Sequence, residues 1–171
     1  MCKQKTIAKA IEFSGVGLHT GQSSTMLIEP ADENYGVKFQ RIDLDNQPII
    51  PADIDLVVET QRSTTIEKNG VKIVTVEHLL SALYALGVNN ALIKIDGPEI
   101  PILDGSAKFF VLKIEEAGLK EQKEDVEFIS FDKSYSFSDP DTGSEILYVP
   151  GDQFIASVVL DYNNDVLGTQ Y

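Results

Sequence analysis

Two segments with the apolar spacing of an amphipathic α-helix interrupt a sequence that otherwise has the pattern of short β-strands. The first predicted helix runs from about Val76 to Leu86, with Thr75 as its N-cap and Gly87 just past its end. Its apolar side chains recur at helical spacing and predict one buried face, made of Val76, Leu79, Leu80, Leu83 and Leu86. Any fold of this chain must therefore bury one side of this helix.

The second predicted helix runs from about Ser106 to Ala117, with Asp104 as its N-cap and Gly118 at its end. Its predicted buried side chains follow the same spacing and are Ala107, Phe110, Val111 and Ile114. A strand over residues 91–96 separates the two helices. A further strand pair is predicted around Asn69-Gly70, because Asn-Gly between β-branched apolar runs is a strong signal for a hairpin turn.

The amino-acid composition of the chain changes after the second predicted helix. Residues 115–127 are dense in charge, and we interpret them as an exposed helix end and a solvated linker, with a first domain at 1–122 and a second region at 123–171. In that region short antiparallel strands are predicted between about Phe128 and Asp161, without a helix to cover them. The tail is interpreted as the truncated start of a second domain. Because open strand edges recruit partners, we expect it to form a homodimer, with packing on the first domain or partial disorder as alternatives.

The charge balance excludes some classes of partner. The 171 residues carry 14 Lys and Arg against 27 Asp and Glu, a net charge of −13, and such a surface argues against nucleic-acid binding because it repels phosphates. No apolar run approaches the roughly 20 residues of a membrane span, and the first residues lack the apolar core of a signal peptide. The single cysteine, Cys2, excludes an intramolecular disulfide. We therefore expect a cytoplasmic protein that neither binds nucleic acid nor crosses a membrane.

The dipeptide Glu77-His78 lies in the first turn of the first predicted helix, away from the apolar stripe. The positive end of the helix dipole favours an ionised carboxylate there and disfavours an imidazolium. A neutral imidazole can bind a metal, and an ionised carboxylate can act as a general base. The alternative is that both are ordinary solvated residues of a helix start, and the dipeptide by itself favours that alternative.

A glycine-rich loop between Gly15 and Gly21 holds two further candidates, Leu18 and His19. Glycines allow a ligand to approach the backbone closely, and a histidine beside them can donate to that ligand. A hairpin turn with a surface histidine is the alternative. The loop matches neither a phosphate-binding P-loop nor a dinucleotide-binding motif. A third segment, from Glu99 to Ala107, is explained as a proline-stiffened entry to the second helix.

Three motifs, in this order and at this spacing, resemble one known family. They are Gly15-Val-Gly-Leu-His-Thr-Gly21, Thr75-Val-Glu-His-Leu79 and Glu99-Ile-Pro-Ile-Leu-Asp-Gly-Ser106. The sequence resembles the N-terminal part of the bacterial UDP-3-O-acyl-N-acetylglucosamine deacetylases, the zinc hydrolases of lipid A biosynthesis. The resemblance covers essentially the whole chain. It implies an α+β fold in which each of two similar domains is a two-layer sandwich of a mostly antiparallel sheet and two helices, with the active site between them.

The resemblance also implies roles for individual residues. His78 matches a zinc ligand, and Glu77 matches the general base that activates water for hydrolysis. The implied substrate is a UDP-activated acylated amino sugar. The implied substrate-binding positions are Leu18, His19, Arg62, Ser63 and Thr64.

The family's later segment, which contains the other zinc ligands and a downstream catalytic histidine, is absent from this chain. The resemblance therefore implies the N-terminal part of a zinc-dependent deacetylase, with Zn²⁺ held jointly with the missing C-terminal half of the polypeptide and with the fragment alone inactive. The alternative hypothesis is a stand-alone, non-catalytic binding or assembly module of the same fold.

Overall fold

The computed structural model describes residues 2–162 and 164–171. The chain divides into two compact units, of which the first ends at Val126 and the second is Glu127–Tyr171. The α-helices of the first unit are α1 (Glu77–Ala85) and α2 (Lys108–Ala117), and a single 3-10 turn covers Ile54–Leu56. Among the described residues, no helix has the length and apolarity of a membrane span.

The strands of the first unit form one large sheet and two smaller ones. In chain order they are β1 (Lys3–Ile7), β2 (Ile11–Val16), β3 (Ser23–Pro30), β4 (Val37–Arg41), β5 (Ile49–Pro51), β6 (Val57–Glu59), β7 (Thr65–Lys68), β8 (Val71–Ile73), β9 (Ala91–Ile95) and β10 (Leu119–Asp125). The large sheet has the order β2-β3-β9-β4-β5, and only its β4–β9 pair is parallel. The mostly antiparallel sheet expected from the resemblance is therefore confirmed.

The predicted hairpin is present in the second sheet, β6-β7-β8. Its turn residues Asn69 and Gly70 both have positive φ, 54° and 80°, as a two-residue turn that matches the strand twist requires. Ile66 lies opposite Ile73 across this hairpin, and both side chains are buried. The local pattern was sufficient here because both strands and the turn are contiguous in sequence.

One buried cluster joins the sheet to both helices. Its members include Met26, Ile28 and Ile93 from the large sheet, Leu79 and Leu83 from α1, and Phe110 and Ile114 from α2. The helical residues are those at the centre of the two apolar stripes, which confirms the predicted buried faces. Sheet and helices therefore share one core, and the α+β sandwich is confirmed.

Both predicted N-caps are wrong. Thr75 has a φ of 61°, and its hydroxyl donates to Glu99 Oε1 at 2.8 Å instead of capping α1, which begins at Glu77. Asp104 accepts the backbone N–H of Ser106 at 3.1 Å in a local turn, and α2 begins only at Lys108. Both residue types are suitable for caps. The Thr75 side chain instead bonds to Glu99, and the Asp104 side chain bonds within a tighter local turn.

The charged segment after α2 is a strand and not a linker. β10 pairs antiparallel with β1, with Thr6 opposite Lys120 and Ile7 opposite Leu119. Its side chains are largely exposed, which explains why the segment lacks an apolar pattern. The side chain of Gln122 connects this strand to the residue after β3, because its amide donates to the Ala31 carbonyl at 3.0 Å. The expected boundary after residue 122 lies inside this strand, and the structure divides after Val126.

The second unit contains two strand pairs, β11 (Tyr135–Ser138) with β12 (Glu145–Tyr148) and β13 (Leu160–Asp161) with β14 (Thr169–Gln170). β11, β12 and β13 lie within the predicted range of about Phe128 to Asp161, and β14 lies after it. None of the described residues of this unit is buried. Large apolar side chains are exposed along its length, including Phe128, Ile129, Phe131, Phe137, Ile146 and Leu147.

Replacing Phe110 with alanine should destabilise the first unit strongly. Its ring is fully buried, 5.0 Å from the ring of Phe13 between centroids, and truncation of a buried phenylalanine costs about 3–5 kcal/mol. Phe109, the preceding residue of α2, is 47% exposed, so Phe109→Ala is a matched control that should cost less than about half as much. Urea unfolding followed by circular dichroism measures both losses, and equal losses would show that the buried face of α2 is wrongly assigned.

Candidate functional site

Glu77 and His78 form the first turn of α1, with about a third of each side chain exposed. The Glu77 carboxylate is held on one side, because its Oε2 accepts the backbone N–H of Thr64 at 2.9 Å. Its other oxygen, Oε1, lies 3.9 Å from Nε2 of His78. The pair thus presents an oriented carboxylate oxygen next to an accessible imidazole nitrogen, at the helix end whose dipole favours negative charge.

The segment with Arg62, Ser63 and Thr64 lies against this first turn. Thr64 is bound twice, since its N–H donates to Glu77 and its carbonyl accepts the N–H of Val76 at 3.2 Å. Ser63 is buried, whereas Arg62 is exposed and has a φ of 63°. The structure therefore brings these three positions and the Glu-His pair together, and it leaves the Arg62 guanidinium in solvent.

Leu18 and His19 lie in a tight loop between β2 and β3. The loop is closed by the N–H of Gly17, which donates to Gln22 at 2.9 Å, and by the N–H of Gly21, which donates to Gly17 at 3.1 Å. Both candidate side chains are exposed, Leu18 to 61%. The loop thus offers an apolar side chain and an imidazole to solvent.

The carboxylate of Glu99 binds this loop and the entry to α1 at the same time. Oε1 accepts the backbone N–H of His19 at 3.0 Å and the hydroxyl of Thr75 at 2.8 Å, and Oε2 accepts the N–H of Thr20 at 2.7 Å. The whole residue is only 1% exposed. Glu99 is thus a buried acid whose donors come from two separate parts of the candidate site.

Burial by itself would raise the pKa of Glu99, because desolvation disfavours the charged form. The hydrogen bonds from the His19 and Thr20 amides and from the Thr20 and Thr75 hydroxyls outweigh burial, so the pKa of Glu99 is lowered from its ordinary value of 4.5. The residue is therefore an ionised carboxylate at neutral pH.

Gly17 is a glycine because Glu99 lies against its backbone. A Cβ at position 17 would overlap Glu99 Oε2 and would lie 2.7 Å from the hydroxyl oxygen of Thr20. Any larger residue must push the loop away from the carboxylate. The close approach that the glycine-rich motif indicated is thus made in this structure by a side chain of the protein itself.

Sequence analysis missed Glu99 as a functional candidate, since its segment was explained as an entry to α2. The signal was a single acid inside the otherwise apolar stretch Pro98-Glu99-Ile100-Pro101, where an isolated charge is costly unless it is bonded. Backbone bonds place this stretch beside Val74, whose N–H donates to Pro98 at 2.9 Å and whose carbonyl accepts from Ile100 at 3.1 Å.

A catalytic zinc site usually has three protein ligands and one open position. Within residues 2–162 and 164–171, no three or more His, Cys, Asp or Glu side chains are grouped so that they could hold a metal. His78 is a suitable donor and is accessible, and Glu77 is next to it. The described residues thus suit one ligand position and an adjacent base, and they do not form a complete ligand set.

Comparison with known proteins matches residues 4–171 to the family model described as UDP-3-O-acyl N-acetylglycosamine deacetylase. The chain is 46% identical to the "Bifunctional enzyme LpxC/FabZ" of Bacteroides thetaiotaomicron, over 100% of this chain and 37% of that protein. It is 41% identical to the UDP-3-O-acyl-N-acetylglucosamine deacetylase of Methylococcus capsulatus, over 97% of this chain and 54% of that protein. The corresponding protein of Hahella chejuensis is 42% identical, over 98% of this chain and 55% of its own length. The chain thus spans about half the length of these single-function relatives.

The lowered pKa of Glu99 predicts a pH-dependent contribution to stability. A carboxyl group with a lower pKa in the folded state stabilises the fold above its unfolded pKa, and this stabilisation is lost as the pH falls through the folded pKa. The difference in unfolding free energy between the wild type and Glu99→Gln should therefore be largest near neutral pH and should shrink as the pH falls below 4.5. Urea unfolding of both proteins across this range measures the difference, and a difference independent of pH would contradict the assignment.

Proposed function

Since the chain belongs to the UDP-3-O-acyl N-acetylglycosamine deacetylase family, we propose that it is the N-terminal part of a zinc-dependent enzyme of lipid A biosynthesis. The reaction is removal of the acetyl group from a UDP-3-O-acyl-N-acetylglucosamine, and we infer that it takes place in the cytoplasm. The observation that carries this proposal is the pair Glu77-His78, which combines an oriented carboxylate with an accessible imidazole.

His78 would supply one zinc ligand, and the remaining ligands would come from the C-terminal half of the longer polypeptide. The length of the relatives, about twice that of this chain, supports this division. When bound, zinc supplies the Lewis acidity that amide hydrolysis requires. On this basis the chain alone is inactive, because it provides one wall of the site and not a full ligand set.

Glu77 would move the protons of the reaction. Its Oε2 is occupied by the Thr64 N–H, so Oε1 is the atom that takes a proton from the attacking water as the water oxygen bonds to the acetyl carbon. The same proton then passes to the amine nitrogen as the carbon–nitrogen bond breaks, which gives acetate and the free amino sugar. A general base and acid in this role contributes about 10²–10⁴ to the rate.

The proposed substrate contacts come from the two exposed parts of the site. Leu18 offers an apolar surface, and the imidazole of His19 offers a hydrogen-bonding group. The exposed guanidinium of Arg62 suits a diphosphate, since arginine pairs with phosphate through charge-assisted hydrogen bonds. The net charge of −13 does not oppose such a substrate, because the field inside a cleft depends on the local charges that line it.

The test of the proposal is Glu77→Gln in the longer protein that contains this chain. We expect the zinc content to stay unchanged and turnover to fall by about 10²–10⁴-fold, which is the usual rate contribution of a general base. His78→Ala is the matched comparison at the neighbouring position and should lose zinc as well as activity. Metal analysis and a deacetylation assay measure both effects. A wild-type protein that takes up no zinc and releases no acetate would favour the non-catalytic module instead.

We further propose that the second unit is the start of a second domain that the rest of the polypeptide completes. Its exposed apolar side chains, among them Phe137 and Ile146, have a burial free energy of about 1.5–3 kcal/mol each. In the chain alone, we expect its open strand edges to pair with those of a second copy.

Light scattering tests this pairing. The 171-residue chain should be a dimer, and a version ending at Val126, where the first unit ends, should be a monomer. The shorter version retains β10 and thus its pairing with β1, so the comparison changes only the second unit. Monomeric masses for both versions would contradict the proposed pairing.

A further inference from the structure

We propose that Glu99 is a positioning residue, whose buried carboxylate fixes the loop with Leu18 and His19 relative to the start of α1, where Glu77 and His78 lie. The enzymatic consequence rests on the proposed function, whereas the fixation itself is a property of this chain. The donors to the carboxylate are the backbone of His19 and Thr20 and the hydroxyl of Thr75, so Glu99 acts on the site through Thr75 and the loop backbone.

The geometry is that of a single acceptor between two segments that are distant in sequence. Two donors are amides of the loop, His19 and Thr20, which are 80 and 79 residues from Glu99 along the chain. The donor from the other segment is the hydroxyl of Thr75, two positions before Glu77. Displacement of the loop from α1 would therefore break at least one charge-assisted hydrogen bond, the stronger kind in proteins.

The segment that carries the carboxylate is held on both sides by its own backbone. The Glu99 carbonyl accepts the hydroxyl of Ser24, at the start of β3, at 2.8 Å. The N–H of Ile102 donates to Val16, at the end of β2, at 3.0 Å. On the other side Val74 bonds to this segment through both its N–H and its carbonyl. Glu99 thus lies in a segment that hydrogen bonds hold on both sides, and the hydrogen bonds of its carboxylate hold the loop to that segment.

The backbone of Thr75 is the second sign of a positioning role. Its φ of 61° lies in the left-handed region, which is uncommon for a β-branched residue and occurs where surrounding contacts enforce it, often at functional sites. The bond to Glu99 is such a contact. Through this bond the carboxylate also holds the residue that precedes the entry to α1, so the loop and this entry share one acceptor.

A glutamine at position 99 keeps the size of the side chain and replaces one of its two acceptor oxygens with a donor nitrogen. A carboxylate accepts at both oxygens, whereas an amide has one acceptor oxygen and a nitrogen that only donates. In Glu99→Gln the amide nitrogen must face either the Thr20 N–H or the donors at Oε1. We therefore expect the loop to detach while α1 stays in place, because α1 is held independently by its buried residues Leu79 and Leu83.

The first experiment measures amide hydrogen exchange by NMR in the 171-residue chain. In Glu99→Gln the amides of His19 and Thr20 should exchange at least about tenfold faster, because the free energy of one such hydrogen bond corresponds to a factor of this size. The exchange of β9 amides such as Ile93 should be unchanged. The control is Asp96→Asn, because the exposed Asp96 also accepts a backbone amide, that of Thr25 at 2.6 Å. It should leave His19 and Thr20 protected.

Gly17→Ala provides an independent variant if Glu99→Gln does not fold. Its added Cβ would overlap Glu99 Oε2 and would displace the exposed loop while the carboxylate remains. The same two amides should then lose protection. Unchanged exchange at His19 and Thr20 in the folded variants would overturn the proposal, and so would an equal acceleration in β9, because that result would mean a purely structural role.

The second experiment uses the longer deacetylase and separates KM from kcat. Glu99→Gln and Gly17→Ala should raise KM by about tenfold and leave kcat and zinc content within about twofold, because the loop contacts substrate and the base and the ligand lie on α1. A fall in kcat with unchanged KM would overturn the positioning role. If the wild-type protein has no deacetylase activity, the proposed function fails, and the exchange experiment still decides whether Glu99 fixes the loop.

Discussion

Helices α1 and α2 each bury one face in the core that they share with the five-stranded sheet, and this packing fixes where the other segments of the first unit lie. Leu79 and Phe110 belong to the same buried cluster as the inward side chains of β3 and β9. Because α1 is anchored from this side, the opposite side of its first turn is available for Glu77 and His78. The site thus uses polar residues of a helix that its buried apolar residues anchor to the sheet.

Polar contacts hold the segments around the helix start in addition to the apolar core. The Thr64 amide orients Glu77, and the Glu99 carboxylate ties the glycine loop to Thr75. A buried carboxylate is stable only when its bonds replace the water it has lost. None of the described residues of the second unit is buried.

Local patterns predicted the elements whose signals are contiguous in sequence. The two apolar stripes, the Asn69-Gly70 turn and the position of Glu77-His78 at a helix start all agree with the structure. Local sequence patterns gave wrong predictions where a residue distant in sequence determines the local structure. The polar segment 119–125 is a strand only because β1 pairs with it, and Thr75 is not a cap because Glu99, 24 residues later, takes its hydroxyl.

Residue spacing and three motifs in register were enough to predict which faces of the helices are buried, which dipeptide begins α1, and the family to which the chain belongs. The connection that Glu99 makes between the glycine loop and the entry of α1 is visible only in the folded chain. The physical reason is that an apolar stripe or a turn is encoded by the spacing of neighbouring residues, whereas a buried carboxylate acquires its role from donors brought to it by the fold. Those donors lie 24 to 80 residues away in sequence, and no local pattern records such a distance.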